Sequence, residues 1–152
     1  MEKITKNFYI TEFVSYKVFK QFGEKSHWFV DRRIVELAQF TRDYFGKSMT
    51  INNWWDEDEA VQSALASERQ YSGFREPSCT VGASLSQHRF GRAIDIRIAG
   101  LTPQEAYTAI LAAKEKFMAA GLTTLEDIRD TPTWNHLDIR YTGKSDILIV
   151  RP

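Results

Sequence analysis

Residues 71–97 read YSGFREPSCTVGASLSQHRFGRAIDIR, and the way this stretch passes from loop to strand sets the rest of the chain around it. From Ala93 to Ile98 the residues alternate: Ile94, Ile96 and Ile98 point one way, Ala93, Asp95 and Arg97 the other, the period of two of a half-buried strand. Upstream, Gly91 permits a sharp backbone path out of a loop that holds Ser86 and His88. An imidazole from the loop and the Asp95 carboxylate on the polar strand face can therefore converge on one point. A second stretch, WNHLDIRY (residues 134–141), alternates in the same way. Leu137, Ile139 and Tyr141 form one face, and Trp134, His136, Asp138 and Arg140 the other. If the two strands are neighbours, His88, Asp95 and His136 supply three N/O ligands and leave one position open, the pattern of a catalytic zinc site. Spacing alone leaves another reading open, in which His136 is simply the partner of Asp138.

Working outward, DRRIVELAQFTRDYFG (residues 31–46) predicts a helix capped by Asp31 and stopped by Gly46. A second helix is predicted from Thr102 to Gly121, where Thr102, Pro103 and Glu105 form a capping box with proline in the first turn. Its buried stripe is Ala106, Ile110, Ala113 and Phe117. The stretch between Trp54 and Gln70 carries a weaker helical pattern. Short strands are predicted at residues 48–52, 123–127 and 147–150. Residues 1–30, rich in aromatic side chains, read as an irregular arm wrapping the body. The sum is an α+β fold in one domain spanning 1–152, with helices packed on one side of a small antiparallel sheet.

Composition narrows the function classes. The chain of 152 residues balances 20 basic against 20 acidic side chains and contains one cysteine. A zero net charge gives no electrostatic footprint for nucleic acid or for an anionic membrane. A lone cysteine excludes an intramolecular disulfide framework and a multi-cysteine metal knuckle. No apolar run reaches the ~20 residues of a membrane helix, and MEKITKNFYITEF lacks the apolar core of a secretory signal. Synthesis in the cytoplasm is the expectation.

The arrangement S-x-H-x-x-G-x-A-x-D, here Ser86, His88, Gly91, Ala93 and Asp95, resembles the motif of the zinc D-alanyl-D-alanine peptidases. That family shares its fold with the hedgehog signalling domain and with phage L-alanyl-D-glutamate endopeptidases. SGFR (Ser72–Arg75) resembles the SGYR element that precedes the motif, and Trp134-Asn135-His136 the context of the last ligand. The resemblance spans most of the chain and implies a hedgehog/D-Ala-D-Ala-peptidase-like fold. It implies a Zn2+ ion on His88, Asp95 and His136, and a metallopeptidase of D-Ala-D-Ala carboxypeptidase or L-Ala-D-Glu endopeptidase type. The implied substrate is the peptidoglycan stem peptide, met after phage-type release, and the implied alternative is a non-catalytic zinc domain that binds wall peptide or a protein.

Arg75 resembles the family arginine that contacts substrate, and Ser86 either hydrogen-bonds substrate or holds its loop. Where the family places an acidic base, three positions before the last histidine, this chain has Thr133. Glu126 is then the first choice of base and Asp130 the second, with Asp127 beside them. Trp54 and Trp55 are candidates to line a substrate groove, with a core role for at least one of them equally open. Asp138 is either an orienter of His136 or an ion-pair partner of Arg97 or Arg140. His27 and Cys79 carry no site signal.

Overall fold

The computed structural model describes residues 1–151. Five helices, α1 (Tyr16–Phe22), α2 (Arg32–Phe45), α3 (Glu59–Arg69), α4 (Pro103–Ala112) and α5 (Lys114–Ala119), accompany five strands. The strands are β1 (Met49–Thr50), β2 (Ala93–Ile98), β3 (Thr124–Glu126), β4 (Asn135–Asp138) and β5 (Leu148–Val150). They form one sheet in the order β1-β2-β4-β3-β5, so the fold is α+β.

The sheet is mixed, not wholly antiparallel as expected. Its first four strands pair antiparallel, whereas β5 runs parallel to β3. The cause is occupancy. The chain turns back after β4, but the place beside β4 is already filled by β3, so β5 docks on the far edge of β3.

Register settles what each face carries. Ala93 pairs with Asp138, Asp95 with His136, and Leu125 with Leu137. Ile94, Ile96, Ile98, Leu125, Leu137 and Ile139 consequently lie on one face and are buried. Against them pack Ile34, Leu37 and Ala38 of α2 and Ala106 and Ile110 of α4, within one apolar core. The opposite face keeps Asp95, His136 and Glu126 side by side.

Local signals place the helices. The Asp31 carboxylate accepts from the Arg33 amide at 3.0 Å to start α2, and Gly46, at φ +61°, closes it. The Thr102–Glu105 capping box starts α4. The helix expected over 102–121 is broken at Ala113, whose amide closes onto Ile110 as well as Ala109. This tightened turn sets α5 so that Phe117 meets the rings of Phe40, Tyr44 and Phe45 on α2, a tertiary demand that no glycine or proline announces.

The N-terminal 30 residues are more regular than an irregular arm, because they form α1 and two stretches of 3-10 helix (Ile10–Glu12 and Gly23–Phe29). They bury Phe8, Ile10, Phe13 and Val14 completely. They also fix the segment before the metal motif. The Phe13 carbonyl accepts from Phe74 N at 2.6 Å, and Phe29 stacks on Phe74 at 5.6 Å.

Gly91 is required twice over. Its φ is +63°, and a Cβ there would stand 2.1 Å from the Phe29 carbonyl oxygen. The blocking atom is backbone and cannot swing aside. Gly91→Ala is therefore expected to destabilise the fold by about 2–4 kcal/mol, to be read from urea unfolding against wild type.

Candidate metal centre

His88 sits in a turn of 3-10 helix (Gln87–Phe90) and is almost wholly buried. Its Nδ1 lies 2.8 Å from the Gly73 carbonyl oxygen. A carbonyl can only accept, so Nδ1 carries the proton and Nε2 presents a lone pair. His136 is oriented by the same logic. Its Nε2 lies 3.1 Å from Oδ2 of Asp138, a carboxylate with no solvent exposure that also accepts from the Arg140 guanidinium. Nε2 therefore donates, and Nδ1 is the free atom.

Both lone pairs point at Asp95. His88 Nε2 lies 3.3 Å and His136 Nδ1 2.9 Å from Asp95 Oδ1, and the two ring nitrogens are 3.2 Å apart. Three acceptors this close repel one another unless a cation or a proton sits among them. An ion bonded at about 2.1 Å in a tetrahedral set spaces its ligands by about 3.4 Å, so the triangle is within about half an ångström of the size needed. These three buried or nearly buried residues could hold a metal ion. The outer oxygen of Asp95 is held by Arg75 Nη2 at 3.2 Å, so every ligand has a partner that fixes its orientation.

The electrostatics agree. Burial pushes the Asp95 carboxyl up, but the two imidazoles outweigh burial and hold it well below the usual carboxylate range. Burial pushes His136 down, yet Asp138 and Asp95 outweigh it and raise the imidazole to about 9. The site is built to attract positive charge.

Around the triad opens a groove of about 490 Å³, lined among others by Arg75, Ser86, Glu126, Asp130, Trp134 and Arg140. Glu126 is opposite His136 on the neighbouring strand, since Leu125 pairs with Leu137. Its Oε1 lies 3.8 Å from His136 Nδ1, and its carboxylate makes no hydrogen bond among the described residues. Asp130 lines the same groove but is engaged by the Arg151 fork at 2.9 and 3.0 Å, which holds its carboxyl below the usual range. Asp127 is likewise taken, by Arg129. Ser86 lines the groove, and its hydroxyl has no hydrogen-bond partner among the described residues.

Arg75 lies at the site, with Nη2 on Asp95 and Nε on the Tyr71 carbonyl. Gly82 gives it room, because a Cβ there would stand 2.5 Å from Arg75 Nη1. Trp54 does not line the groove. It is fully buried, donates from Nε1 to the Val14 carbonyl at 2.9 Å, and packs edge-on to Tyr16. The indole in the groove is Trp134, which the alternation of residues 134–141 already placed on the face of His136. Asp138 serves both roles considered for it, as acceptor for His136 and as partner of Arg140. Arg140, which the same alternation puts on that face, lines the groove as well. His27 hydrogen-bonds the Glu24 carbonyl, and Cys79 is buried; neither lines the groove.

The loop 76–86 overhanging the groove has little regular structure, and one side chain gathers it. The Arg89 guanidinium donates to the carbonyls of Glu76, Pro77, Cys79 and Ala83 at 2.7–3.4 Å.

No protein-family model matches this chain, and neither does any curated protein or solved structure.

No helix among the described residues is long and apolar enough to cross a membrane.

Metal binding must displace the proton that His136 carries below about pH 9. Affinity for a divalent ion, followed by competition with a chelator of known affinity, should therefore rise about tenfold per pH unit and level off near pH 9. Asp138→Asn, which weakens the acceptor behind His136, should lower the affinity at fixed pH about 10- to 100-fold.

Proposed function

We propose that the chain is a zinc-dependent peptidase acting on a bond that involves a D-amino acid in bacterial peptidoglycan stem peptides, as a phage- or prophage-type lysis or wall-remodelling enzyme of hedgehog/D-Ala-D-Ala-peptidase-like fold. The observation that carries the reading is the convergence of His88 Nε2, Asp95 Oδ1 and His136 Nδ1 within 2.9–3.3 Å of one another, at the base of an open groove. Two imidazole nitrogens and one carboxylate oxygen form a zinc donor set with a position to spare. The resemblance of S-x-H-x-x-G-x-A-x-D and SGFR to the D-Ala-D-Ala peptidases supplies the substrate class.

Zinc held there supplies a Lewis acid, which polarises a peptide carbonyl and acidifies water. The chain's own residues do the rest. Glu126, with a free carboxylate one water away from the ligand atoms, accepts a proton from the attacking water and returns it to the departing amine. Arg75 holds Asp95 by its outer oxygen, and Asp138 keeps the His136 ring turned toward the other two ligands. Trp134 offers an indole face to the peptide, and the Ser86 hydroxyl a hydrogen bond. Thr133 cannot act as the base; Glu126, on the neighbouring strand, is the carboxylate that stands 3.8 Å from a ligand nitrogen. This available carboxylate favours the peptidase over a non-catalytic binding domain.

The test is to incubate purified murein with the zinc-loaded protein and to identify released fragments by mass spectrometry. Wild type should release peptide fragments. Glu126→Gln should bind zinc normally and lose at least about 100-fold in rate, whereas Asp130→Asn should stay within a fewfold. No fragments from wild type would end the peptidase reading, and an undiminished Glu126→Gln would end the assignment of the base.

A further inference from the structure

The groove does not stop at the metal triad. Arg140, which lines it, also lines a second depression of about 580 Å³ on the other side of its own side chain. This depression is bordered by Arg33, Arg92 and Lys144 as well, and no acidic side chain lines it. The chain as a whole is neutral, so a wall with four cations and no anion is a local excess.

The nearby carboxylates do not cancel that excess. Asp31 stands between Arg33, at 2.6 Å, and Arg92, at 3.7 Å, one negative charge for two positive ones. Asp138 takes Nε and Nη2 of Arg140 and leaves Nη1 without a partner among the described residues. Lys144 makes no ion pair among the described residues. Beside them Tyr141 is 95% exposed. The buried Asp138 fixes the Arg140 guanidinium, which lines both spaces, and leaves one of its nitrogens unpaired among the described residues.

We propose that this depression is a specificity subsite for a substrate carboxylate, so that the preferred substrate is an acidic peptide whose free carboxylate lies beyond the scissile bond on the Arg140 side. The inference rests on the peptidase reading, since it places the reacting carbonyl at the triad. Arg140 receives the carboxylate, and Arg92 and Lys144 provide the surrounding positive field. A guanidinium fork suits a carboxylate, and the open, hydrated setting makes each charge a modest contributor.

Two short peptides would be compared, identical except that one carries a side-chain carboxylate and the other the matching carboxamide. Each is made as a cleavable amide and as a ketomethylene isostere that cannot be hydrolysed. On zinc-loaded protein the acid isostere should bind about tenfold more tightly than the amide isostere, by titration calorimetry at low salt. The Arg92→Gln, Lys144→Ala double variant should remove most of that preference and leave affinity for the amide isostere unchanged. With the cleavable pair the preference should appear in KM, with kcat unchanged. Equal affinity for the two isosteres, or a preference that survives in the double variant, would overturn the subsite. So would a depression titrated by inorganic phosphate or an anionic wall polymer but indifferent to the peptide carboxylate. If the isosteres differ as expected and neither amide is cut, the binding inference stands and the peptidase reading fails; if both amides are cut equally, the reverse holds.

Discussion

Three electron-pair donors are held face to face in a nearly dry place, and the surrounding structure serves to keep them there. Left to themselves, two imidazole nitrogens and a carboxylate oxygen at 2.9–3.3 Å would separate. They are kept together by pairing β2 with β4 so that Asp95 faces His136, and by folding the 72–91 segment so that His88 drops in from above. Each donor is then locked from behind, by Gly73, Arg75 or Asp138. The cost of assembling three acceptors is what makes the point they surround attractive to a cation.

The sheet divides the labour between its faces. One carries isoleucines and leucines and fastens to α2 and α4. The other carries, in cross-strand sequence, Asp95, His136 and Glu126. A slip of one residue in either strand would send the ligands into the core and the isoleucines into water. The same hydrophobic pattern that stabilises the domain therefore also fixes the geometry of the site. The N-terminal residues extend this support, since Phe13 and Phe29 brace the Gly73–Phe74 backbone whose carbonyl steadies His88.

Much of this was legible in the residues themselves. Alternation in AIDIRI and NHLDIR reports which side chains share a face, and Asp31, Gly46 and the Thr102–Glu105 box report where helices begin or end, because these signals are local. Other features depended on distant parts of the chain. The parallel pairing of β5 follows from β3 already occupying its place, and the break at Ala113 from aromatic rings on another helix. Trp54 could not be told from a groove residue, since burial is decided by Tyr16 and Val14, some forty positions away. That Asp130 is engaged while Glu126 is not depends on Arg151, whose pairing with Asp130 nothing nearby in the sequence announces.

The loop that roofs the groove shows how a single side chain can separate two behaviours. It has almost no ladder of its own and is gathered by Arg89 through four backbone oxygens. A guanidinium keeps its charge at any acidity a protein survives, and peptide oxygens do not titrate there either. The canopy consequently holds its shape while the His136 imidazole gains or loses its proton. Acid therefore silences the ion's cradle first, with the roof still standing.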